Sequence, residues 1–121
     1  MANSNFTVKR ATQDLVAKLE ILSNVDGGIT DAGIAAITSS GTVAKLKTYI
    51  AALPVFNRDK FLRDQLPYDI DRCNLYGTIT DADVETARAA GTFAALLTAI
   101  KAHGQASESD ELNNSYSVWA Q

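Results

Sequence analysis

This sequence has little cysteine and no long apolar run. Cys73 is its single cysteine, which excludes an intramolecular disulfide framework and fits a reducing compartment. No run approaches the ~20 apolar residues that cross a bilayer. The first residues also lack the charged and apolar regions of a signal peptide. We therefore expect a cytoplasmic protein with no membrane partner.

A basic excess is also missing. The chain has 11 Lys and Arg against 14 Asp and Glu, a net charge of −3, whereas nucleic-acid binders usually carry a basic patch. We therefore expect no nucleic-acid partner. With 121 residues, of which 46% are hydrophobic, the chain is long enough for one domain with its own core.

An internal repeat appears when the sequence is compared with itself at an offset of fifty residues. Segments 27–53 and 77–103 align without a gap and share twelve identities in twenty-seven positions. The first-copy residues that recur are Gly27, Ile29, Thr30, Asp31, Ala32, Gly41, Thr42, Ala44, Leu46, Thr48, Ile50 and Ala52. This similarity indicates a tandem duplication.

Each copy carries the local signals of a short helix, a glycine corner and a longer helix. Thr30 and Thr80 are good N-cap residues, because a side-chain oxygen can accept a hydrogen bond from a free amide of the first turn. Gly41 and Gly91 suit the left-handed position that ends a helix. Strand patterns are weak, so the sequence predicts an all-α domain of about six short helices.

Apolar spacing sets the remaining helix boundaries. Leu15, Leu19 and Leu22 share a helical face before the first copy. Before the second copy, 57–66 reads as a helix with Phe61, Leu62 and Leu66 as apolar surface, which Pro67 interrupts, and 68–75 forms a separate short helix. Pro54 and Gly104 are expected to end the second helix of each copy, so the helical domain is predicted to span 1–104.

The remaining residues, 105–121, are predicted to form a flexible, acid-rich tail with an aromatic end. Tyr116, Val118 and Trp119 are unusual on such a tail. They would gain free energy by burial, either on this domain or on another chain. We therefore name them as candidate partner-binding residues.

Metal and catalytic motifs are weak. Asn24, Asp26 and Gly27 fit three positions of a calcium-binding loop, but Leu22 and Gly33 occupy positions that need oxygen ligands. We therefore predict no metal site, and the spacing at Gly27-Gly28 does not fit a phosphate loop.

His103, the single histidine, cannot be linked to a nucleophile by its spacing, and Cys73 is expected to be a buried core residue. We predict no catalytic residue, no cofactor and no enzymatic activity.

The first nine residues, Met-Ala-Asn-Ser-Asn-Phe-Thr-Val-Lys, resemble the openings of structural proteins from marine contractile-tailed cyanophages. The resemblance covers less than a tenth of the chain and carries over no functional residue. It implies a phage-encoded, virion-associated protein.

Two functional hypotheses follow from the sequence. The leading one is a small non-enzymatic structural or protein-interaction protein that uses an apolar patch or the aromatic tail. Its alternative is a helical domain that binds a small molecule or an ion at the repeated loops 25–31 and 75–81. An exposed apolar patch would favour the first hypothesis, and a concave pocket at the loops would favour the second.

Overall fold

Six helices and no strand form the part of the chain that the computed structural model describes, the backbone of 5–110 and the side chains of 7–103. The all-α prediction is thus confirmed. In chain order the helices are α1 (Asn5–Ser23), α2 (Asp31–Ala35), α3 (Thr42–Ala51), α4 (Asp59–Tyr76), α5 (Asp81–Ala90) and α6 (Phe93–Asp110).

Both predicted N-caps are present. The Thr30 hydroxyl accepts a hydrogen bond from the amide of Gly33 at 3.0 Å, and the Thr80 hydroxyl accepts one from the amide of Asp83 at 3.3 Å. Asp83 returns the contact by accepting from the Thr80 amide at 2.9 Å, which completes a capping box. Each cap contributes about 1 kcal/mol to the start of its helix.

Both predicted corner glycines have positive φ, but only Gly91 ends a helix. Gly41 lies six residues after the end of α2 and is the N-cap of α3, so its predicted role as a helix end is wrong. Gly41 and Gly91 have φ values of +59° and +75°. α5 continues to Ala90, where an Arg88–Glu85 ion pair supports its last turn. α2 stops at Ala35, because 38–40 is a run of Thr and Ser, which favours turns over helix.

Two predicted helix ends are wrong. α4 continues through Pro67 as one helix, because Leu66 and Ile70, on either side of the proline, are both fully buried. Their packing outweighs the missing N–H of the proline. α6 continues through Gly104 to Asp110, since a single glycine weakens a helix by about 1 kcal/mol but does not end it. The proposed tail therefore begins with helical residues, and its remainder, 111–121, lies outside the described residues.

The core lies between α1, α4 and the second helices of the two copies, α3 and α6. α1 packs against α4 and α6, α3 packs against α4, and α5 packs against α3 and α6. The predicted α1 face is fully buried, as are the corresponding residues of the two copies. These corresponding residues are Ile34 with Val84, Leu46 with Leu96, and Ile50 with Ile100.

Each copy also caps the second helix of the other. The amide of Phe93 donates to the Asp31 carboxylate at 2.8 Å, and the amide of Val43 donates to the Asp81 carboxylate at 2.8 Å. Donors and acceptors are both related by the fifty-residue offset. A two-fold relation between the copies would produce this reciprocal exchange, and the duplication itself stays a prediction.

Candidate interaction surface

A row of exposed apolar side chains follows the outer face of α4. Phe61, Tyr68 and Leu75 have exposed fractions of 67%, 75% and 84%. They are seven residues apart, and seven residues are close to two helical turns, so they form one line along the helix. We call these three residues the α4 stripe. The sequence predicted Phe61 and Leu66 to be part of the apolar surface of this helix. Leu66 is buried, whereas Phe61 belongs to the α4 stripe and is not a core residue.

The two sides of the α4 stripe differ in charge. Residues three positions after a stripe residue lie on one side, and residues four positions after it lie on the other. The first side carries Asp64 and Asp71, and the second carries Gln65 and Arg72. Asp64, Asp71 and Arg72 are all exposed beside the stripe. Each already has a partner within the chain, namely Arg63 for Asp64, Lys47 for Asp71 and Asp69 for Arg72.

A buried carboxylate joins α4 to α1 just behind the stripe. The side chain of Asp69 is only 7% exposed, and it accepts hydrogen bonds from Lys18 Nζ at 2.8 Å and from an Arg72 guanidinium nitrogen at 2.9 Å. Lys18 also pairs with Asp14 at 3.1 Å. Burial by itself lowers the pKa of Lys18, but the hydrogen bonds that Lys18 donates to Asp69 and Asp14 outweigh it and leave that pKa above its ordinary value.

This cluster makes a prediction about alkaline pH. Because the pKa of Lys18 is raised on folding, its contribution to stability is complete below the unfolded value of 10.5 and is lost as pH rises through the folded value. We expect the stability difference between wild type and Lys18→Met to be constant from neutral pH to about 10 and to shrink above 10.5. Urea unfolding at several pH values measures it. A difference that persists unchanged at high pH would show that the ion pair contributes nothing.

Two shallow grooves flank this cluster and share Arg72. The larger, of about 500 Å³, is lined by Thr7, Arg10, Ala11, Asp14 and Arg72. The smaller, of about 300 Å³, is lined by Lys18, Gln65, Tyr68, Asp69 and Arg72. Both grooves carry side chains of both signs, and Tyr68 joins the smaller one to the α4 stripe. The α1–α4 side of the molecule therefore combines apolar and charged surface.

The residue before each predicted loop makes a hydrogen bond within the fold. Asn24 donates from its side-chain amide to the Glu20 carbonyl, and Asn74 donates in the same way to the Ile79 carbonyl. Within the described residues, no group of three or more His, Cys, Asp or Glu side chains could hold a metal ion. A third groove, of about 270 Å³, is lined by Gly33, Ala36, Ile37, Thr38, Lys45, Thr48 and Tyr49. None of these three grooves is lined by residues of loop 25–31 or 75–81.

The surroundings of His103 and Cys73 indicate structural roles for both side chains. The Nε2 atom of His103 lies 2.8 Å from an Asp83 oxygen that also accepts from the Thr80 amide, so His103 ties α6 to the N-terminus of α5. No sequence pattern predicts this pair, because twenty residues separate the two side chains. Cys73 is fully buried, as predicted, and burial raises the pKa of its thiol.

The predicted partner-binding residues Tyr116, Val118 and Trp119 lie outside the described residues. Among the helices that the structure describes, none is both long and apolar enough to cross a membrane. Comparison of the chain with protein-family models, with curated proteins and with solved structures gave no match.

Proposed function

We propose that this protein is a small, non-enzymatic protein-interaction module and that the α4 stripe is its docking surface. The observation that carries the proposal is the exposure of Phe61, Tyr68 and Leu75 in one line. Single exposed apolar residues are ordinary on a protein surface, but aligned ones that do not contribute to the core are typical of binding faces.

The surroundings of the stripe suit such a role. Aromatic anchors next to charged groups are the usual composition of a protein interface, where the aromatics supply buried area and the charges at the rim supply specificity. The Asp69–Lys18 ion pair holds α4 against α1. A partner would therefore meet a rigid helix face, which lowers the entropy lost on binding.

Two parts of the proposal come from the sequence alone. Tyr116, Val118 and Trp119 would form a second docking element, either for this chain or for its partner. The resemblance of the first nine residues to cyanophage structural proteins supports a phage-encoded, virion-associated protein. Ligand binding at loops 25–31 and 75–81 stays an untested alternative, and no contact described above favours it.

Site-specific photo-crosslinking tests the docking surface. Benzoylphenylalanine would replace Tyr68 in the stripe or, as a matched control, Phe56, which is exposed to a similar degree at 63% but precedes α4. The full chain is produced in cells with benzoylphenylalanine at the chosen position. On irradiation we expect the Tyr68 position to give discrete adducts with protein, and the Phe56 position to give few.

The mass of the adduct also identifies the partner. Adducts at the dimer mass indicate self-association, and any other mass indicates a different protein. The proposed function is wrong if the Tyr68 position forms no adduct, or if both positions give the same set.

A further inference from the structure

We infer that the partner of the α4 stripe is a second copy of this chain, bound with its α4 parallel and in register. This inference rests on the proposed function and specifies its partner. The spacing of the stripe and the charges on its two sides support this arrangement.

The spacing of the stripe fits helix-on-helix packing. Apolar residues repeated every seven positions drift by about 20° per repeat on a straight helix, so two such stripes stay in contact when the helices cross at about 20°. In a parallel, two-fold arrangement each stripe residue meets its own equivalent. Phe61 would pack on Phe61, Tyr68 on Tyr68 and Leu75 on Leu75, which groups the aromatic residues at one end of the interface.

The charges determine the direction of pairing. A two-fold axis parallel to the helices places the first side of one stripe against the second side of the other. Asp71 of each copy then lies beside Arg72 of the other, twice in the dimer, and Asp64 lies beside the neutral Gln65.

An antiparallel pair would bring like sides together. Asp64 would then face Asp71 of the second copy at both ends of the interface, and like charges in that position are unfavourable. Arg72 would face Gln65 instead of an acid. The distribution of charge therefore favours the parallel pair.

The interface should be small and the dimer correspondingly weak. An 18-residue helix is about 27 Å long, so one helix pair lies at the low end of the areas found in specific interfaces. We expect a dissociation constant on the order of micromolar. Sedimentation velocity on the full chain should show a monomer–dimer equilibrium over concentrations from about 1 µM to 1 mM.

Charge exchange provides the sharpest test. Asp71→Arg places arginine beside Arg72 of the other copy, and Arg72→Glu places an acid beside Asp71. Each variant alone should therefore dimerise about tenfold more weakly. An equimolar mixture of the two variants should recover wild-type affinity, because every cross-chain contact is then between opposite charges. Asp26→Arg makes the same charge change on an exposed loop residue and should leave dimerisation unchanged.

Thermal melting and two further variants distinguish a loss of dimerisation from a loss of folding. Arg72 also pairs with Asp69, and Asp71 pairs with Lys47 of α3, so the thermal melting of each charge variant is compared with wild type. Tyr68→Ser removes the central stripe residue without touching the core and should abolish dimerisation. In the parallel pair the two Phe61 positions meet, so Phe61→Cys should form a disulfide across the dimer. An antiparallel pair would separate the two cysteines by about 21 Å along the helix and would form no such bond.

Each other outcome overturns the inference in a distinct way. Tighter dimerisation of Asp71→Arg would show an antiparallel pair, because that change removes the repulsion with Asp64. Loss of the dimer in Trp119→Ala but not in Tyr68→Ser would make the C-terminal segment the interface. A protein that stays monomeric at 1 mM, while its Tyr68 position crosslinks to a different protein, would refute the dimer and leave the proposed function standing.

Discussion

Replacing Leu46 with alanine is expected to lower the free energy of unfolding by about 2–5 kcal/mol. Leu46 is fully buried in α3, within the core that the two copies share. The change removes three carbon atoms from a packed interior, and the surrounding side chains can fill only part of the cavity that remains. Chemical denaturation of the variant and of wild type measures the difference.

Leu96 and Leu75 provide the matched controls for this prediction. Leu96 occupies the corresponding position of the second copy and is equally buried, so Leu96→Ala should have a cost in the same range. Leu75 undergoes the same chemical change on the α4 stripe, where it is 84% exposed, and Leu75→Ala should cost less than about 0.5 kcal/mol. Equal losses at Leu46 and Leu75 would contradict the arrangement of the core.

Replacing Gly28 with alanine should cost about 3 kcal/mol. Gly28 is buried where the chain turns back against the end of α1, and the Ile29 amide donates to the Leu22 carbonyl at 2.9 Å. A Cβ at position 28 would overlap that same carbonyl oxygen, and it would lie 2.9 Å from the carbonyl oxygen of Val25. Both oxygens belong to the backbone, so relief requires the end of α1 to move.

Gly41 separates this steric effect from the general effect of replacing glycine. Apart from Gly41 and its two chain neighbours, no heavy atom of the described structure lies within 4 Å of the position that a Gly41 Cβ would occupy, so only the positive φ opposes alanine there. Gly41→Ala should therefore cost about 1 kcal/mol. If thermal or urea unfolding shows Gly28→Ala to be no worse than Gly41→Ala, the close packing on α1 is wrong.

Gly28 also shows that the repeat does not predict which residue types a given position accepts. The corresponding residue of the second copy is Thr78, so the alignment by itself suggests that threonine is acceptable at position 28. The chain takes different paths to positions 28 and 78. Thr78 follows α4 after a single left-handed glycine, whereas Gly28 follows a longer turn after α1. The approach of the chain to the preceding helix, and not the residue type of the other copy, determines what fits.

Local features of the fold could be predicted from the sequence because their causes lie within a few residues. Thr30 and Thr80 cap amides three positions away, and Gly41 and Gly91 take backbone angles that other residues avoid. The apolar spacing of α1 similarly identified its buried face. The aligned positions of Phe61, Tyr68 and Leu75 were also present in the sequence, but their spacing alone does not distinguish a core face from an exposed one.

The sequence by itself thus determined the helical class, the caps, the positive φ of Gly41 and Gly91 and the buried face of α1, since each depends on local conformational preference or on apolar periodicity. Only the tertiary structure decided the continuity of α4 through Pro67, the exchange of caps between Asp31 and Asp81, and the burial of Asp69 against Lys18. The same is true of the outward direction of the α4 stripe. The cap exchange and the Asp69–Lys18 pair join residues that are 38 to 62 positions apart in the chain. Packing energy at such contacts exceeds the local preferences that a sequence pattern records.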